Sequence, residues 1–359
     1  MIMDRDEWLR RILAIHLHPE GGTPYWLERQ AQLGFSLRKR ICGLDDLPLL
    51  GPMSLEVLRE RPIEALIPRS LHALHEKHSL VTAQTGGATG VPKTTAYSMA
   101  DFESAFVNPF LDTVHRMGCL WSNQGHWLWI GPGGPHIIGK VAHRIALLTT
   151  GSDPFSVDFD PRWFRRLSEH SMARRRYLEH VLEQSMELLD LQHIHHLFTT
   201  PAILSPLAQR LSATLRSRIT FIYLGGMRIT MRMLHEFRLQ FPNARFLSGY
   251  GNTLFGVCHQ GGEAGEGLCY YPPSPQLVSR VVAWEVGVDA SARLTREVPY
   301  GSRGQVVMHR LQESGLLLNV MEQDSAIRVP PQPGMPPWDG LADPGRLEQP
   351  HLTVEDGIY

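Results

Sequence analysis

Thr85-Gly86-Gly87-Ala88-Thr89-Gly90-Val91-Pro92-Lys93 gathers glycines, hydroxyls and a lysine into one short turn. Glycines let backbone N–H groups approach an anion with no Cβ in the way, and the hydroxyls and the ammonium add donors and charge. That chemistry suits phosphate, although a flexible surface loop can share the composition. Upstream, Leu80-Val81-Thr82-Ala83 is apolar and partly β-branched, so a strand is predicted to deliver the chain into the turn. Downstream, Ser98 and Asp101 have capping-box spacing ahead of a helical pattern.

The pattern continues outward as alternating strands and helices. Phe102, Phe106, Phe110, Val114 and Met117 recur at helical spacing, with Pro109 expected to kink or interrupt the helix. Trp127-Leu128-Trp129-Ile130 reads as a buried strand and runs into Gly131-Pro132-Gly133-Gly134-Pro135-His136-Ile137-Ile138-Gly139-Lys140. Such glycine- and proline-rich strand ends are where open α/β sheets hold ligands. A helix is predicted over 161–190, and the nearby His193, His195 and His196 lack zinc spacing. Ile219–Leu224 is a further strand, ending in Gly225-Gly226-Met227-Arg228. After a helix over Met231–Phe241, the strand Ala244–Ser248 ends in Gly249-Tyr250-Gly251-Asn252-Thr253. The alternation predicts an α/β fold whose mixed, largely parallel sheet is flanked by helices.

The margins read as support. An amphipathic helix over residues 6–18 places Trp8, Ile12, Leu13 and Ile15 near one face, and a short helix follows around Leu55–Glu60. Beyond 265 the runs 277–288, 304–309, 316–320 and 327–329 alternate as short strands, predicting a small antiparallel or barrel-like subdomain. The expected organisation is 1–264 as α/β nucleotide- and acyl-binding core, 265–330 as β-rich subdomain completing the site, and 331–359 as an irregular, Pro- and Gly-dense arm.

With 359 residues and a net charge of −1, no global field recruits nucleic acid or an acidic membrane. Arg174-Arg175-Arg176 reads as a solvated helix face. Cys42, Cys119, Cys258 and Cys269 form no CxxC pair, the start has no apolar signal core, and no apolar run approaches ~18 residues. A soluble cytoplasmic protein with free thiols is expected.

Several mechanisms fail on spacing. Lys93 follows Pro92 where a P-loop needs glycine, no GxGxxG joins strand to helix, and Phe246 stands where a nucleophile elbow around Ser248 needs glycine. Four separated segments remain: the glycine turn, Gly225-Gly226, Tyr250-Gly251-Asn252-Thr253, and Asp324 with Arg328. Together they resemble the core motifs of the adenylate-forming superfamily, which includes acyl-CoA ligases and peptide-synthetase adenylation domains.

The family's phosphate loop [ST][SG]G[ST]TGxPK resembles Thr85–Lys93, with Ala88 in place of a hydroxyl. The resemblance implies that Thr85, Gly86, Gly87, Thr89, Gly90, Gly225, Gly226, Tyr250, Gly251, Asn252, Asp324 and Arg328 bind ATP. Within that set it implies that Tyr250 stacks on adenine, Asp324 binds ribose and Arg328 is the matching basic residue. It further implies that Thr253 contacts the α-phosphate and that Lys93 holds the outer phosphates. ATP and Mg²⁺ are the implied cofactors.

Two departures stand out. Leu254 occupies the place of the glutamate that helps hold Mg²⁺, so no side chain is assigned to the metal. No lysine follows Lys140, whereas typical members carry a C-terminal domain with a catalytic lysine; that domain is expected to be absent.

Gly134–Lys140, Asp158–Trp163, Asp324–Arg328 and Gly357-Ile358-Tyr359 look like a subgroup of C-terminally shortened members from phenazine antibiotic biosynthesis. That likeness implies activation of an aromatic carboxylate, such as a phenazine carboxylic acid. A downstream reductase, acyl carrier or other acyl acceptor, and a homodimer, are the implied partners. His136 or Lys140 is the candidate to orient the carboxylate or partly replace the missing lysine, with a structural role for Lys140 left open. Trp127, Trp129, Phe155 and His136 are candidates for an aromatic-sized acyl pocket, against core packing for the tryptophans. The alternatives are a binding protein without turnover and a half-enzyme completed by a partner.

Overall fold

The computed structural model describes residues 4–72, 80–86, 91–119, 121, 125–264, 267–285 and 287–347. β1 (Leu80–Gln84) and β2 (Thr94–Ser98) pair antiparallel, with Gln84 opposite Thr94. The glycine turn therefore closes a hairpin, and β2 is a strand the spacing did not predict. Ser98 then caps the next helix, its Oγ accepting from Asp101 N–H at 3.1 Å, as expected.

The remaining strands are β3 (His126–Gly131), β4 (Phe155–Asp158), β5 (Ile194–Thr199), β6 (Phe221–Leu224), β7 (Arg245–Asn252), β8 (Gly256–Ala264), β9 (Gly267–Tyr271), β10 (Leu277–Val282), β11 (Arg303–Gln312), β12 (Gly315–Val329) and β13 (Gly340–Arg346). They form one sheet in the order β10-β11-β12-β13-β9-β8-β7-β6-β5-β3-β4. From β7 to β4 every neighbouring pair is parallel, because helices cross between successive strands. β3 and β6 are almost wholly buried, as expected of strands covered by helices on both faces. From β7 to β10 the pairs are antiparallel. β4 lies on one side of β3 and β5 on the other, so chain order reverses there and opens a crevice at the strands' C-terminal ends.

Three expectations need adjustment. The 161–190 helix is two helices, Pro161–Arg166 and Met172–Leu191, the second capped by Ser171. The Met99–Met117 helix is interrupted, as Pro109 led one to expect, but as a π-helical segment, Glu103–Val107, that runs directly into the α-helix whose first turn holds Pro109. Part of the arm expected to be irregular is β13, which pairs with β12 and β9 despite its Pro344.

Arg310 on β11 ties the glycine-turn hairpin to this sheet. It is fully buried; its guanidinium donates to Thr95 Oγ1 at 2.9 Å and to Ala96 O at 2.8 Å, and lies 3.5 Å from the centre of the Tyr97 ring. Arg310→Met leaves those acceptors and the Asp101–Ser314 pair without their charged neighbour. The expected loss of stability is about 3 kcal/mol, read by urea denaturation, with the hairpin becoming protease-sensitive first.

Candidate functional site

The ends of the glycine turn are pinned to each other. Thr85 N–H donates to Lys93 O at 2.9 Å, and Lys93 N–H donates to Thr85 Oγ1 at 3.0 Å. Two arginines of the helix Pro161–Arg166 hold the turn from outside: Arg162 donates to Thr85 O at 2.6 Å and Arg165 to Gly86 O at 2.5 Å. Gly87, Ala88, Thr89 and Gly90 lie outside the described residues.

The turn faces a polar cavity of about 460 Å³. Thr85, Gly86 and Lys93 line one wall, Tyr250, Gly251, Asn252 and Thr253 a second, and Glu322, Asp324 and Arg346 a third. Tyr250 OH donates to Asp324 Oδ2 at 3.1 Å, so the expected adenine and ribose residues are linked. Thr253 is fixed through its carbonyl, which accepts from Tyr97 OH at 2.7 Å. Gly251 is required by close approach, since a Cβ there would sit 2.0 Å from Gly256 O. Gly226 is required by its φ of 83°.

Charge in this cavity is mixed. Burial, then Arg59, lowers the Lys93 pKa, while Glu322 and Glu56 oppose the shift. Burial, then Asp324, pushes the Glu322 carboxyl up to about 7, against a bond from Asn252 and the fields of Lys93 and Arg346. Arg59 pairs with Glu56 and Arg228 with Asp343, both at 2.7 Å.

An apolar pocket adjoins the cavity at the ends of β3, β5 and β6, walled by Phe106, Trp129, Ile137, Phe159, Phe198 and Tyr223. His136 also lines it, as does Gly225. Burial, then Arg162, lowers the His136 pKa, which favours the neutral imidazole. Beneath the pocket the Tyr223 ring packs at a tilt against Phe198 with ring centres 4.2 Å apart, and its hydroxyl meets His259 Nε2 at 2.8 Å.

The structure does not bring every sequence candidate here. Lys140 lines neither compartment; its Nζ donates to Thr82 O at 2.6 Å, and it borders a further groove with His143 and Arg144 that shares Trp129 and His136 with the apolar pocket. Arg328 also lies outside, held by Asp339 at 2.6 Å, by Glu297 at 2.9 Å and over the Tyr300 ring. Trp127 is core, its Nε1 donating to Thr149 Oγ1 at 2.8 Å, and Phe155 packs against His126. Of the four proposed acyl-pocket residues, Trp129 and His136 line the pocket. Glu322 and Arg346 are additions. Strand alternation relative to Asp324 offers a signal for Glu322, whereas Arg346 is found only through pairing, opposite Asp324 across β12 and β13.

No protein-family model matches the sequence, and no curated protein matches it. The fold is nevertheless shared with solved structures. A 2-hydroxyisobutyryl-CoA ligase in an open conformation, in complex with 2-HIB-AMP and CoA, superposes with a TM-score of 0.62 at 14% identity, over 95% of this chain and 68% of the ligase. The fold is that of an adenylate-forming ligase. In the postadenylation state, in complex with 2-HIB-AMP, the same ligase superposes with a TM-score of 0.63 over 94% of this chain and 65% of its own. This chain thus spans about two thirds of the length of that ligase. In this chain Thr85, Gly86 and Lys93 of the glycine turn, the end of β7 and the acidic stretch of β12 converge on one cavity. Among the described residues no helix is long and apolar enough to cross a membrane.

Proposed function

We propose that this chain uses ATP to activate an aromatic carboxylic acid as an acyl-adenylate, for later reduction or acyl transfer in secondary metabolism. One observation carries the reading: the polar cavity and the apolar pocket share Gly86, Gly226, Gly249, Gly251, Asn252 and Thr253. A nucleotide in the first and an acid in the second meet at that common wall. The solved 2-hydroxyisobutyryl-CoA ligase, with its bound acyl-AMP, gives the reading a precedent on the same fold.

In the reaction a carboxylate oxygen attacks the α-phosphorus, the bond to the bridging oxygen of the β-phosphate breaks, and pyrophosphate leaves with that electron pair. Charge grows on the leaving phosphates, where fixed donors and cations contribute most. Thr85, Lys93 and Arg346 line the cavity and would supply them. Tyr250 and Asp324 would hold the nucleoside, and Thr253 the α-phosphate. A divalent cation, when bound, would neutralise phosphate charge, and the acidic stretch of β12 lines the cavity that would hold it.

The ring-lined pocket favours a flat apolar body, and the resemblance to phenazine biosynthesis proteins makes a phenazine carboxylic acid the first acid to test. Its volume is only about 90 Å³, whereas roughly 150 Å³ holds one benzene molecule, so an aryl acid must spread the walls to enter. The test is pyrophosphate release over acids from benzoate to tricyclic carboxylates. Release with an aryl acid supports the reading; ATP binding with no release from any acid replaces it with a binding protein. Asp324→Ala removes the acceptor of Tyr250 OH and the proposed ribose ligand, and is expected to weaken ATP binding by at least about tenfold in calorimetry, with an unchanged melting profile.

A further inference from the structure

Leu254 is 3% exposed and packs in the main core, so the residue after Thr253 offers the cavity no oxygen ligand. Yet the cavity wall contains a carboxylate the reaction has not used. Glu322 lines it from β12, and one of its oxygens, Oε1, is completely covered and has no hydrogen-bond partner among the described residues. The Asn252 side chain bonds the same carboxylate and also fixes its own turn, Oδ1 accepting from Leu254 N–H at 2.9 Å. Asp324 adds a second negative charge two residues along the strand. Covering a carboxylate oxygen without a donor, beside another carboxylate, is unfavourable unless a cation or a proton completes the group.

We propose that Glu322, positioned by Asn252, is the protein carboxylate through which this chain holds a divalent cation with the bound nucleotide. The proposal rests on the nucleotide reading of the cavity. Among the described residues no cluster of three or more His, Cys, Asp or Glu could hold a metal alone. One or two carboxylates, with phosphate oxygens and water supplying the rest, is the arrangement Mg²⁺ takes in nucleotide sites. The cation would therefore bind with the nucleotide and only weakly without it.

The test titrates Mn²⁺ into the full chain with a non-hydrolysable ATP analogue, following free Mn²⁺ by electron paramagnetic resonance. Wild type is expected to take up Mn²⁺ only with the analogue present. Glu322→Gln should weaken Mn²⁺ by at least about tenfold, while affinity for the analogue in EDTA stays the same or rises. Glu322→Asp, which keeps the charge, should recover part of the loss and guards against misfolding of the first variant. Unchanged Mn²⁺ affinity in folded Glu322→Gln overturns the cation role and leaves nucleotide binding standing. Failure of wild type to bind the analogue with or without metal overturns both.

Discussion

Lys93→Ala is expected to lower acid-dependent exchange of labelled pyrophosphate into ATP by at least about 100-fold, the scale seen when one preorganised charge-stabilising donor is removed. The side chain ends a turn whose two ends bond each other through Thr85, so its backbone does not drift when the side chain is cut. Half-burial and the nearby Arg59 disfavour its charge, and anions in the cavity oppose them. Glu322 and Glu56 supply part of that offset in the resting protein, and nucleotide phosphates would supply more. The loss should fall more on turnover than on ATP affinity, because charge on the departing pyrophosphate exceeds that in bound ATP. Lys93→Arg tests placement: a wider, planar guanidinium restores charge without the same reach, so partial recovery is expected. Equal exchange by wild type and Lys93→Ala would remove the glycine turn from the mechanism.

Much of this site was legible because glycine-rich turns are local. Thr85–Lys93, Gly225-Gly226 and Tyr250–Thr253 each declare themselves within a few residues, and the described parts of all three meet at one wall. What was not legible depends on pairing between distant strands. Arg346 reaches the cavity because it lies opposite Asp324 in the register of β12 and β13. Arg328 lies an even number of residues after Asp324, which in a regular strand would put both on one face. Register shifts interrupt β12 on both sides near Ser325, and Arg328 instead turns to Glu297 and Asp339. Lys140 misleads for a related reason: it sits in the first turn of the helix Ile137–Thr150, and that helix turns it towards β1 although His136 beside it lines the pocket. Trp127 shares a face with Trp129 but lies one pleat repeat further from the strand's end, inside the core.

Mild acid is expected to destabilise this protein, in part through a histidine beneath the apolar pocket. His16, His196, His259 and His309 are buried, between 0% and 4% exposed. Burial pushes the pKa of His16 and His196 down to about 4, and that of His259 and His309 down to about 3. The unfolded chain takes up these protons near pH 6.5 while the folded chain refuses them, so this stability is present above pH 6.5 and is lost as pH falls towards 4. Each imidazole then costs about 1–2 kcal/mol by pH 5, and together they approach the 5–15 kcal/mol that holds a typical domain. A drop of about 10 °C in melting temperature between pH 7 and pH 5 is expected by scanning calorimetry. His259 should matter most for the site. Its Nε2 pairs with the Tyr223 hydroxyl, the donor depending on the imidazole tautomer, and Nδ1 has no partner among the described residues. Protonation makes both ring nitrogens donors, and a charged ring with no acceptor at Nδ1 would sit against the tyrosine that walls the pocket. His259→Gln should therefore melt lower than wild type at pH 7 but lose less on acidification, and a melting temperature flat from pH 7 to pH 5 would mean the four rings are not held neutral.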